Sequence, residues 1–228
     1  MEDTLTLGEL GIVVVGQENN PSILNPDFLR YNDIVPKEWE VAEPPVCVGP
    51  VSEVVFKSGM RITAEMARIT FIEDVVDKPF DEVLAPSIVE RYIATLPHVK
   101  YTALGINPKG HVLGVSREEV EGFLLHTLIV DGPWKAVDSK APLVSVNLVY
   151  PLEECRLTMS ITPTTYTRNP NQPRPALLFA ANFHREVQGT NRDERITNLK
   201  VALGAWRQDI VHFTGLVSDF LRKGETQK

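Results

Sequence analysis

The longest regular pattern in this chain lies near its C-terminal end. Ile196, Leu199, Leu203, Trp206, Ile210, Phe213, Val217 and Phe220 recur at steps that alternate between three and four. That spacing keeps all eight side chains on one stripe of an α-helix. Thr190 or Asn191 is placed to cap the start, with Asp193 or Glu194 three residues on to complete a capping box. Arg222 and Lys223 suit the negative end of the macrodipole, and Gly224 suits a left-handed cap. The pattern predicts one helix over about 192–223, roughly 48 Å long at 1.5 Å per residue. A surface of similar length, a sheet or another helix, must cover its stripe.

Elsewhere the period is two. Val144, Val146, Leu148 and Tyr150 alternate with Ser145 and Asn147, and Cys155, Leu157, Met159 and Ile161 alternate with Arg156, Thr158, Ser160 and Thr162. This is the pattern of strands with one dry and one wet face. Ala176 to His184 is more evenly apolar and predicts a central strand. Earlier strands are predicted at Ile12–Val15, at Val51–Phe56, returning through Ser58-Gly59 to Arg61–Ala64, at Arg68–Ile72, and from Val99 to Ile106. The last of these is expected to end in a turn at Asn107-Pro108-Lys109-Gly110. Val46-Cys47-Val48, bracketed by prolines, predicts an edge segment, because proline cannot donate to a central ladder.

Two further helices are expected. One starts at Pro86 and buries Ile88, Val89, Tyr92, Ile93 and Leu96. The other opens at Ser116, with Glu119 completing a capping box. The stretch 163–175, with its prolines and asparagines, predicts a long exposed loop. The acidic run from Glu73 to Glu82 predicts a solvated loop, since it lacks the glycine and the oxygen spacing of an EF-hand.

Together these elements predict an α+β fold: a largely antiparallel sheet with helices on one face and the C-terminal helix as the main cover. The chain, 228 residues, fits a single domain over 1–228. A faint repetition of hairpin, strand and helix also allows two α+β halves, about 1–130 and 143–228, sharing one sheet.

Composition narrows the partners. The chain is 43% hydrophobic and carries a net charge of −7. Nucleic acid and anionic membranes are poor partners for that charge. The acidic N-terminal residues lack the basic region of a signal peptide, and no apolar run is long enough to span a bilayer. A soluble cytoplasmic protein is expected. Cys47 and Cys155 lie in apolar, strand-like surroundings and are expected to be buried reduced thiols, with a single disulfide between them left open.

The chain contains no phosphate loop, dinucleotide fingerprint, zinc-protease helix, nucleophile elbow or Cys-x-x-Cys pair. No cofactor, metal or catalytic residue is assigned, and enzymatic activity stays an open question at this level. The leading expectation is a non-enzymatic interaction or structural module whose partner is a protein or a second copy of itself. Val201, Gly204, Val211 and Gly215, opposite the apolar stripe, form the expected interface: glycine is unfavourable inside a helix by about 1 kcal/mol against alanine and invites a packing reason. The alternative is a small-ligand-binding protein or enzyme, with its site near 107–111, 131–140 and 163–186. His111, His184, Arg185 and Glu186 are the candidate ligand-binding residues, since a histidine, an arginine and a carboxylate at a strand end suit a small anion or proton transfer.

Overall fold

In the computed structural model all residues are described except 3, 131, 136–141, 170 and 226–228, and the side chains of 135 and 223–225. Nine strands form one sheet: β1 (Thr6–Gln17), β2 (Val46–Val48), β3 (Val51–Val55), β4 (Met60–Glu65), β5 (Arg68–Asp74), β6 (Lys100–Leu113), β7 (Val146–Pro151), β8 (Arg156–Tyr166) and β9 (Arg174–Glu186). Their spatial order is β2-β3-β4-β5-β1-β6-β9-β8-β7, with antiparallel pairing at each junction. Among the described residues there are also five α-helices: α1 (Pro26–Tyr31), α2 (Ala85–Thr95), α3 (Arg117–Thr127), α4 (Arg192–Gly204) and α5 (Trp206–Glu225). The fold is α+β, as expected, with helices against one face of the sheet.

The register explains the two faces. Val54, Ile62, Phe71, Ile12, Ile106, Phe183, Leu157 and Tyr150 stand opposite one another in a row across eight strands. Successive strand residues point to opposite faces, so one row sets the whole pattern. The first seven are buried. Each such side chain contributes roughly 1.5–3 kcal/mol when removed from water. One residue along, the facing row runs Glu53, Thr63, Thr70, Val13, Gly105, His184, Arg156 and Pro151. That face is left open by the helices.

The C-terminal stripe covers the dry face as its spacing predicts: Leu199, Leu203, Trp206, Ile210, Phe213 and Val217 are buried there. The expected single helix is instead bent. After Gly204 the Ala205 N–H donates to the Ala202 carbonyl at 3.4 Å, so the four-residue ladder slips to three and α5 restarts at Trp206. A sharp bend at a glycine is an ordinary cause of such a break. The predicted caps at the start form: Asn191 accepts from the Glu194 N–H, and Glu194 reaches back to the Thr190 N–H. At the other end the helix runs on through Glu225, so Gly224 lies within it and does not stop it.

Four local expectations are corrected. β6 does not turn at Asn107–Gly110 but continues to Leu113. The missing Pro108 N–H is accommodated because the β6–β9 pairing skips Asn107 and Pro108 before resuming at Lys109. The 163–175 loop is shorter, since β8 extends to Tyr166 and β9 begins at Arg174. The acidic stretch is split by alternation within β5. Asp74 faces out, whereas Glu73 is buried and accepts from the Leu84 and Ala85 N–H groups at the start of α2, a helix whose N-cap offers no side chain of its own. Both cysteines are free, but Cys47 is exposed on the edge strand β2 and Cys155 only half-buried. The three-residue strand β2 pairs on one side only, with β3, and all three of its residues are exposed, which is why the buried position expected for Cys47 fails. Among the described residues no helix is long and apolar enough to cross a membrane.

Candidate functional site

The open face acquires relief where the β8–β9 hairpin outruns its neighbour. β6 ends at Leu113, opposite Ala176, while β8 and β9 stay paired to Tyr166 and Arg174. The chain beyond β8 crosses the open face. The Tyr166 ring lies 4.9 Å from the His111 ring on β6, and the Arg168 guanidinium is 3.7 Å from Asp74 on β5. Beneath this crossing lies a trough of about 620 Å³. Its floor is apolar at Val55, Ile72 and Leu178, and Arg61, Lys109 and His111 stand along it. The volume falls in the range of small-molecule sites, about 300–1,000 Å³. Gly59, at φ +87°, makes the tight β3–β4 turn at one end, where its Cα side packs on Asp74.

The trough runs across the strands. Arg61 pairs with Ile72, Glu9 with Asp74 on one side and Lys109 on the other, and His111 with Leu178. At roughly 4.8 Å per strand spacing, β4 to β9 is about 19 Å. Two of the cations are engaged: Lys109 with Glu9 at 3.2 Å and Arg168 with Asp74 at 3.7 Å. The Arg61 guanidinium has no hydrogen-bond or ion-pair partner among the described residues. The His111 Nδ1 is enclosed without a partner, and burial lowers the imidazole pKa; nearby Glu9 opposes that shift and Lys109 adds to it. His111 is therefore a neutral wall of the trough at neutral pH.

The four expected ligand-binding residues divide into three places. His184 and Glu186 share the open face, with Nε2 3.0 Å from Oε1. Arg185, between them, points to the helix face and forms a bidentate pair with Asp209 of α5. His111 is remote from His184, because His184 pairs with Gly105, six residues along β6 from His111. At about 3.4 Å per residue that is roughly 20 Å. Of the expected segments, 107–111 and 163–186 contribute to the trough through Lys109, His111, Tyr166, Arg168 and Leu178; most of 131–140 lies outside the described residues.

The expected interface residues, Val201, Gly204, Val211 and Gly215, are all exposed. Val201 and Val211 are exposed on the outer side of α4 and α5, at 72% and 58%. A Cβ built on Gly204 or Gly215 would meet nothing within 4 Å. No contact inside the described chain accounts for either glycine.

Arg61, Tyr166 and Arg168 were not among the expected residues. For Arg61 the signal was present, since alternation with Ile62 puts it on the wet face of β4. For Tyr166 and Arg168 it was absent, because only the folded hairpin brings them to β6 and β5. No protein-family model matches the sequence, and a search of curated proteins returns no relative.

Proposed function

We propose that this chain is a small-ligand-binding protein that works through the open face of its sheet, with the trough beneath the β8–β9 crossing as the site. The trough itself carries the proposal: it is a small-molecule-sized depression with an apolar floor and a few polar groups along it, which is the usual make-up of a ligand site. Two of its cations, Arg61 and Lys109, stand on strands, held by a nine-stranded sheet. The test is thermal melting against a library of metabolites, beside the variant Leu178→Trp, which fills the floor from an open-face position. A ligand at a hundred times its Kd stabilises by about 2.7 kcal/mol, or roughly 5–11 °C for a chain of this size. Hits on the wild type that vanish in Leu178→Trp are expected. Hits that survive the variant unchanged, or none at all, overturn the reading.

A second reading rests on the outer side of α4 and α5. Two helical glycines with open space above them, flanked by exposed valines, suit close approach by a second copy of the chain. Light scattering tests it: a dimer mass that Val211→Glu converts to a monomer supports self-association, and a monomeric wild type removes it. The exposed free thiol of Cys47 supports a reducing compartment such as the cytoplasm.

A further inference from the structure

We infer that the trough takes an elongated organic anion, a carboxylate or phosphate ester, with its charged end on Arg61 and its apolar body lying across the strands toward Leu178. The inference rests on the trough being a ligand site and adds the chemistry of what fills it.

Arg61, Lys109 and Arg168 stand against Glu9 and Asp74 in the lining, three cations to two anions, so this patch leans positive on a chain of net charge −7. Lys109 and Arg168 are each committed to a carboxylate. The guanidinium of Arg61 is uncommitted among the described residues, and its forked donors match a carboxylate or phosphate. His111, held neutral by burial, adds no charge at the other end.

From Arg61 the floor passes Ile72, crosses the glycine-containing start of β1 at Gly8, and reaches Leu178 and the Tyr166 ring. Gly8 presents no side chain to obstruct the path. The span is about 19 Å across four strand spacings, which suits a chain-like body better than a compact one. Arg61 stands at one end of that path between the apolar Val55 and Ile72, Leu178 and Tyr166 lie at the other, and the carboxylates between them, Asp74 and Glu9, are each paired with a cation, so a ligand charged at one end and apolar along its length matches both ends.

The probes are decanoate, decyl phosphate and 1-decanol below their aggregation limits, with affinity read by calorimetry on the full chain. Decanoate or decyl phosphate is expected to bind the wild type, and decanol at least tenfold more weakly. The arm that binds better separates carboxylate from phosphate. Arg61→Ala is expected to weaken the anion roughly ten- to a hundredfold, the range of a lost charge-assisted hydrogen bond, and Arg61→Lys is expected to recover part of it. The Arg61 side chain is exposed and makes no bond within the described chain, so the variant should fold; its melting temperature without ligand checks that. Arg156→Ala, on the same open face outside the trough, should bind as the wild type. Equal binding of decanol, or an Arg61→Ala variant that binds the anions unchanged, overturns the anion inference even if Leu178→Trp still blocks binding and the trough stands. No binding by any of the three probes overturns it as well, and library hits blocked by Leu178→Trp would then show that the trough holds some other class.

Discussion

The guanidinium of Arg185 and the carboxylate of Asp209 meet through two hydrogen bonds, both 2.7 Å, with little of either side chain exposed. Arg185 lies on β9 and Asp209 one turn into α5, just past the bend at Ala205. The pair therefore fixes where α5 sits on the sheet. Removing one partner of a buried pair strands the other charge and costs about 3–5 kcal/mol. Asp209→Ala should lower the melting temperature by roughly 6–20 °C. Replacing both residues with Met and Leu should restore most of the loss, because the apolar pair leaves no stranded charge. Thermal denaturation of the three variants checks this.

Glu73 does for α2 what its own N-cap cannot. It accepts from two N–H groups of the first turn at 2.9 and 2.7 Å and pairs with Lys78 at 2.9 Å. Glu73→Ala should destabilise by about 2–3 kcal/mol, the range for hydrogen bonds to a charged group. Amide exchange should show the added opening concentrated in the first turn of α2, at Leu84 and Ala85.

His111 gives stability a slope with pH. Burial holds its folded pKa below the value of about 6.5 in an unfolded chain. On acidification the unfolded chain takes up the proton first, so this contribution is complete above about pH 6.5 and is lost as the pH falls through the folded value. Glu9 and Lys109, the charged neighbours, pull in opposite directions. His111→Phe, which keeps a ring against Tyr166, should flatten the melting temperature between about pH 7 and pH 5. An unchanged slope would contradict the assignment.

Gly215 sits mid-helix with open space above it. If that surface is solvent in the working state, Gly215→Ala should stabilise by up to about 1 kcal/mol. If a second copy packs there, the same change should weaken the dimer instead. Melting and light scattering on one sample separate the outcomes.

Much of this fold was legible because its signals are periodic. The eight apolar residues of the C-terminal stripe and the alternation in β7 and β8 each point to one face, and each does so in the structure. Misread boundaries trace to proline and glycine. Pro108 stands inside a central strand because pairing lapses on one side, and Gly204 permits a bend where the periodicity continues. The site was less legible. Period two already places His184 and Arg185 on opposite faces, so their adjacency in sequence was misleading as a cluster. Arg61 could be assigned to the wet face. Its relation to Tyr166 and Arg168 depends on the end of the β8–β9 hairpin reaching over the open face to β6 and β5, which no local pattern encodes.

The most direct measurement of the central claim is chemical-shift mapping of the backbone amides while mixtures of small molecules are added. The account predicts that the first saturable shifts fall at Arg61, Ile72, Lys109, His111 and Leu178, with Val201 and Val211 unmoved. Saturable shifts confined to the outer side of α4 and α5, or none in the trough, would contradict it.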